Sequence, residues 1–328
     1  PFGSVLDAPV RSGGITVHPA GGGSLFGAPG AAVRVREAPW RLVGAASFAV
    51  GVRVRMRAIG AGGAVDRVIA HWIFPSAWPL CAGVGGALEV VAHGADVRAL
   101  LAMPARVREG IVGSLLARGA TFQFVAERLL GDLSAGLGPE MSARLRGVAR
   151  VEPAPIAGPD VRGRAAELRA SLGLAGGEKL AVCVGRLVAS KRIELAIAAA
   201  GAGVAADGGV RLAADGGVRL AVVGEGPERA RLAAAARAGG VRVVWLGALE
   251  RDAALAWIAA ADVLVHPSAS EGAPTVVREA RALGTPVAAC ASGDVARWAA
   301  RDAGIVVAEP SAEGIARAMR RALSIPRG

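Results

Sequence analysis

The chain has 328 residues, a net charge of +11, 53% apolar residues and a mean hydropathy of +0.45. That length accommodates two ordinary domains, each with its own core. The apolar excess is mostly alanine and valine, and no run reaches the roughly 18 uninterrupted apolar residues of a spanning helix, so the sequence reads as a soluble protein.

Residues 1–150 carry 16 basic and 9 acidic side chains, and residues 151–328 carry 22 and 18. The more basic first half suits an anionic partner such as a phosphorylated lipid or a bilayer surface. No run interleaves aromatic and basic residues, which argues against nucleic acid. Part of the arginine content reflects a wider bias, since the chain has no Asn or Tyr and only two lysines, Lys179 and Lys191. Cys81, Cys183 and Cys290 are an odd number in apolar surroundings with no metal spacing, which fits a reduced, cytoplasmic setting. Nothing near Pro1 resembles a signal peptide.

In chain order, short apolar runs alternate with helical stretches rich in Ala and Arg, the pattern of a parallel sheet wrapped by helices. The first half predicts strands at Ile15–Val17, Arg67–Ala70, Leu88–Ala92 and Thr121–Val125. Residues 41–58 alternate like a strand in part but read better as a helix with exposed arginines. RVEPAPIAGPD, residues 150–160, has three prolines and no helical period, so it reads as a linker between domains 1–150 and 151–328. Buried strands are then expected within 180–187, 219–227, 241–247, 261–268, 285–291 and 304–309. AADGGVRL occurs in tandem at 205–212 and 213–220, and reads as a duplication that lengthens a surface loop.

The chemistry concentrates in SEGAPTVVREA, residues 270–280. Gly272 permits a tight turn, Pro274 suits the first helical position, and Thr275, Val276 and Val277 fall in a first turn whose amides lack helical partners. Such a helix start at the top of a parallel sheet is an anion site. Glu271 and Glu279 would stand about 12 Å apart along a helix, too far for an acid and base pair spanning one glycosidic bond. The spacing suits an extended ligand with hydroxyls flanking a phosphate, as in a nucleotide sugar. VGRLVASKR, residues 184–192, supplies Arg186 just past a strand and Lys191 at a helix start as cations for the diphosphate.

With these motifs in order and at normal spacing, the second half resembles the donor domain of retaining GT-B glycosyltransferases of family four: GRLVASK matches the G-R-x-x-x-x-K element, VGEGPER the glycine turn containing Gly226, and EGAPTVVRE the E-x7-E motif. The resemblance implies two Rossmann-like α/β domains facing a cleft. It implies that Arg186 and Lys191 bind the donor diphosphate, Glu271 the transferred sugar and Glu279 the ribose. Backbone near Gly272, Thr275 and Val276 would hold sugar and phosphate, and backbone at Leu246 and Gly247 the base. Ala273 and Pro274 depart from the aromatic residue and glycine of many members, which leaves the sugar open. The first half resembles the acceptor domain through AHWIFPSAWP, VVAHGADVRAL and FQFVAERL, with His93 matching a histidine that contacts the transferring sugar. His71 and Trp72 read as packing or acceptor contacts, and His18 and His266 as structural. The resemblance also implies family segments before and after this chain.

The implied activity is metal-independent transfer with retention, assisted by Arg186, Lys191 and helix amides, with no other cofactor. There is no D-x-D sequence. The acceptor is open, and a lipid-linked phosphate in envelope polysaccharide assembly is compatible with the basic first half. Competing readings are a nucleotide-sugar-binding fragment and a non-hydrolysing epimerase, although no acid and base pair flanks one carbon. A NAD-dependent dehydrogenase is set aside because GEGPER has two of the three glycines of G-x-G-x-x-G.

Overall fold

The computed structural model describes residues 10–12, 14–18, 38–63, 65–81, 85–156, 158–174, 177–201 and 217–327. Most of the tandem AADGGVRL repeat lies outside the described residues. The chain divides into two compact units, Pro1–Glu152 and Pro153–Gly328, with the break inside the proline-rich stretch.

In the first unit, β1 (Val10–Ser12) and β2 (Ile15–Val17) form an antiparallel hairpin. Helix α1 (Val43–Ala61) follows, with Arg53, Arg55 and Arg57 exposed. The sheet is parallel, in the order β3 (Arg67–His71), β4 (Ala87–Ala92), β5 (Thr121–Phe124), β6 (Ala149–Val151). Helices α2 (Ala95–Leu101) and α3 (Ala105–Ala117) connect β4 to β5, and α4 (Glu127–Ala135) and α5 (Pro139–Val148) connect β5 to β6. Strand β6 was not expected: it opens the stretch read as a linker. Val90, Phe122 and Phe124 are fully buried at the centre of the sheet.

Several arginines of this basic half are committed internally. The buried carboxylate of Glu89 takes both Arg67 and Arg150, from β3 and β6. Arg108 donates to the carbonyls of Gly136 and Met103, and Arg118 to that of Cys81. The surplus charge therefore overstates the face left for an anionic partner.

The second unit carries six parallel strands: β7 (Lys179–Val184), β8 (Val218–Val223), β9 (Val243–Gly247), β10 (Val263–His266), β11 (Val287–Cys290) and β12 (Ile305–Ala308). Their spatial order is β12-β11-β10-β7-β8-β9. Counted from the first strand of the unit this is the doubly wound order of a Rossmann fold, with its switch point between β7 and β10. Along β7, Ala181 and Cys183 enter one core and Leu180 and Val182 the other. Both faces are covered, which explains the near-continuous apolar runs. One face packs on α7 (Ile193–Gly201), α8 (Arg229–Ala238) and α12 (Ala312–Leu323). The other packs on α6 (Arg162–Ser171), α9 (Arg251–Ala260), α10 (Thr275–Ala282) and α11 (Val295–Ala299).

The edge where these strands begin is locked by polar groups. Buried Glu178 pairs with Arg219 at 2.8 Å and Arg242 at 2.5 Å. Asp262 accepts from Arg169 at 3.1 Å and from the Leu180 amide at 2.8 Å, and buried Thr285 donates to the Ile258 carbonyl at 2.9 Å. Among the described residues, no helix is long and apolar enough to cross a membrane.

Candidate functional site

The opposite edge of this sheet, where the strands end, is built from loops in backbone contact. After β7, the Gly185 amide donates to the Val223 carbonyl at 2.9 Å and Leu187 to Glu225 at 2.8 Å. Gly224 has a φ of +135°, and a Cβ there would lie 1.9 Å from the Gly185 carbonyl oxygen. A Cβ on Gly226 would lie 2.3 Å from the Leu187 oxygen. The β8 turn therefore needs its two glycines to let the Arg186 loop pass. The Ala269 amide, in the loop after β10, donates to Ser190 at 2.8 Å.

These crossings bring Lys191 and Glu271 together at the switch point. Lys191 ends a 3-10 turn, Ala189–Lys191, and its ammonium pairs with Glu271 Oε1. The same oxygen accepts from Ser268 Oγ at 2.6 Å and stands 3.5 Å from His266 Nε2. Burial alone would raise the Glu271 pKa, but His266, Lys191 and Ser268 outweigh it and hold the carboxyl down at about 2. The pKa of His266 is lowered, chiefly by burial and also by Lys191, against the pull of Glu271.

Helix α10 begins at Thr275, so Pro274 stands just before the helix rather than in its first position. The Val277 amide donates to the Pro274 carbonyl at 3.1 Å, which leaves Thr275 and Val276 as the first-turn amides for an anion. Gly272 is buried without a left-handed φ, and its carbonyl accepts from the Asp294 amide at 3.3 Å; the close approach here is required of Gly293, where a Cβ would lie 1.9 Å from the Gly272 oxygen.

Glu279 is held by Arg251, whose Nε and terminal nitrogen donate to Oε1 at 3.1 and 2.8 Å. A groove of about 830 Å³ between α6, α9 and α10 includes Glu279 and Arg251 but does not reach Lys191 or Glu271. Gly247 ends β9 with a φ of +67°, and its carbonyl accepts from the Gly224 amide at 2.7 Å, which puts Leu246 and Gly247 beside the β8 turn. Arg186 is exposed on the β7 loop. Ser268, His266 and Arg251 are polar neighbours outside the sequence motifs, and His266, expected as structural, stands beside Glu271.

In the first unit, His93 follows β4 and its Nε2 lies 2.8 Å from Nδ1 of His71, at the end of β3. Its pKa is lowered by burial and by His71, with Asp96 pulling upward. Buried Asp96 holds this corner, accepting from the amides of Ile73 at 2.9 Å, His93 at 3.1 Å and Gly94 at 2.8 Å. Asp96→Ala leaves three amides without their acceptor, and a loss of about 3–5 kcal/mol is expected in chemical denaturation, with Asp96→Asn intermediate. Among the described residues no group of three or more His, Cys, Asp or Glu is placed to hold a metal.

Residues 165–327, just under half of the chain and all within the second unit, match the family described as glycosyl transferases group 1. A 2-deoxystreptamine N-acetyl-D-glucosaminyltransferase of Streptomyces fradiae is 39% identical over 140 residues, 41% of this chain and 31% of that protein. TuaC of Bacillus subtilis strain 168, a glycosyltransferase provisionally assigned to teichuronic acid biosynthesis, is 32% identical over 156 residues, 47% of this chain and 36% of that protein. The matches thus span about a third of each curated relative. In fold, the chain is similar to a sucrose-phosphate synthase of Thermosynechococcus elongatus, with a TM-score of 0.67 and 21% identity over 98% of this chain and 77% of that one. Two parallel-sheet α/β domains of this kind are the GT-B class.

Proposed function

We propose, from the match of residues 165–327 to the glycosyl transferases group 1 family, that the chain is a retaining glycosyltransferase moving a sugar from a nucleoside diphosphate sugar to an acceptor hydroxyl. The observation that carries this reading is the meeting of Lys191 and Glu271, from two separate motif loops, at the switch point of a doubly wound sheet. That is where such sheets bind nucleotides.

In this reading Arg186 and Lys191 take the diphosphate, assisted by the amides of Thr275 and Val276. Glu271 accepts hydroxyls of the sugar, Glu279 those of the ribose, and the backbone at Leu246 and Gly247 meets the base. His93 of the first unit contacts the transferring sugar. Lys191 is paired with Glu271, so each charge compensates the other. As the bond to the sugar breaks, negative charge grows on the leaving diphosphate, and fixed cations and amides already aimed at it lower the barrier. The leaving phosphate takes the acceptor proton, so the step needs neither a dedicated base nor a metal. The acceptor is a sugar, a lipid-linked compound or another small molecule, and the exposed Arg53, Arg55 and Arg57 of the first half suit peripheral membrane contact in envelope polysaccharide synthesis.

Calorimetric titration with UDP, GDP and ADP tests the donor site. One nucleotide should bind saturably, and Glu279→Ala should weaken it about tenfold, the value of a hydrogen bond to a charged group. A folded chain that binds none of the three would remove the basis for the assignment.

A further inference from the structure

His266 ends β10 at the switch point and is 4% exposed. Its Nε2 is shielded from solvent, makes no hydrogen bond of normal geometry, and stands 3.5 Å from Glu271 Oε1. A buried nitrogen without a partner is destabilising, so its position asks for a state in which the bond is made. The same carboxylate oxygen is already crowded by Lys191 and Ser268. Lys191 is also the cation that a diphosphate at this site would attract.

We infer that His266 is a positioning residue for Glu271: its Nε2–H closes onto the Glu271 carboxylate when Lys191 turns to an incoming diphosphate. The half-buried carboxylate then keeps two donors, Ser268 and His266, and stays ionised and aimed. The donor must be a neutral imidazole with its proton on Nε2, so no proton changes hands and no charge is added to the site. The charges bearing on the ring are Glu271 and Lys191. Cys183 on β7 donates to the Val265 carbonyl, next to His266 in the chain, at 3.1 Å, and its thiol is pushed up to about 12 by burial, so it adds no charge. This inference rests on the donor-site reading for the trigger, and on geometry alone for the contact.

Long-range proton–nitrogen NMR is practical because the chain has four histidines. In the nucleotide-free chain the expected result is a His266 proton on Nε2 and a titration midpoint below the ordinary 6.5. In Lys191→Met that midpoint should rise by about one pH unit, since a nearby positive charge has gone and the carboxylate is released to the ring. A proton on Nδ1, or a midpoint that does not move, would overturn the positioning role. His266→Gln, which keeps a donor near the same place, should leave the Glu271 carboxyl titration near that of the parent. His266→Leu should raise it by about one pH unit. Equal behaviour of the two variants also overturns the role. Finally, UDP, GDP or ADP should shift the parent His266 signals in the direction Lys191→Met does. If a nucleotide that binds in calorimetry leaves them unmoved, the inference is overturned while the donor-site reading stands; if none binds, it is the donor-site reading that fails.

Discussion

Lys191→Met is expected to weaken the nucleoside diphosphate that binds the parent chain by about 10–100-fold, the value of one or two charge-assisted hydrogen bonds to phosphate. The same change has a signature independent of any ligand. Glu271 is held at about 2 against an ordinary 4.5, and at about 1.36 kcal/mol per pH unit this corresponds to about 3 kcal/mol of folding stability, shared among Lys191, His266 and Ser268. Because the folded pKa is depressed, that contribution is fully present above about pH 4.5 and is lost as the pH falls toward 2. Urea denaturation should therefore find the variant less stable than the parent at pH 7, with the gap closing between pH 4.5 and about 2. A gap that stayed constant across that range would mean that the ammonium does not act through Glu271.

Gly224→Ala is expected to be the most disruptive single change in the second unit. The new methyl would stand 1.9 Å from the Gly185 carbonyl oxygen, in a residue with a φ of +135°. Overlap with backbone cannot be relieved by rotating a side chain, so the loop carrying Arg186 and Lys191 has to move. A loss of more than about 3 kcal/mol and a fall of about 10 °C in melting temperature are expected. Gly240→Ala supplies the control: its φ is +62° with nothing within 4 Å of the added carbon, so it should show backbone strain alone, about 1–2 kcal/mol. If both variants melt alike, the crossing of the β7 and β8 loops is not the constraint described.

The sheet of the second unit was legible because its strands are buried on two faces and stand out as apolar runs between turn residues. Strand β6 was not: Ala149–Val151 is three residues with an arginine at its centre, and only the place offered beside β5 makes it a strand. The E-x7-E spacing marked Glu271 and Glu279 as separate positions, and their immediate partners differ, Lys191 for one and Arg251 for the other. Arg251 could not be read in advance, because its link to Glu279 spans 28 positions and depends on α9 and α10 lying side by side. The same holds for Asp96, whose three amide donors come from loops that the sheet brings together.

The two edges of the second sheet have different tolerance for change. Glu178, Asp262 and Thr285 fasten the edge where the strands begin, through partners that no ligand at the far edge would touch. Side chains on the loops at the far edge can therefore be exchanged without loosening those fastenings, provided the crossing glycines are kept. Under the proposed function, a search for altered donor preference would randomise Ala273, Pro274 and the residues around Arg251 while leaving the opposite rim as it is. On such a scaffold, new specificity is reached by altering a few loop side chains on a frame whose anchorage lies elsewhere.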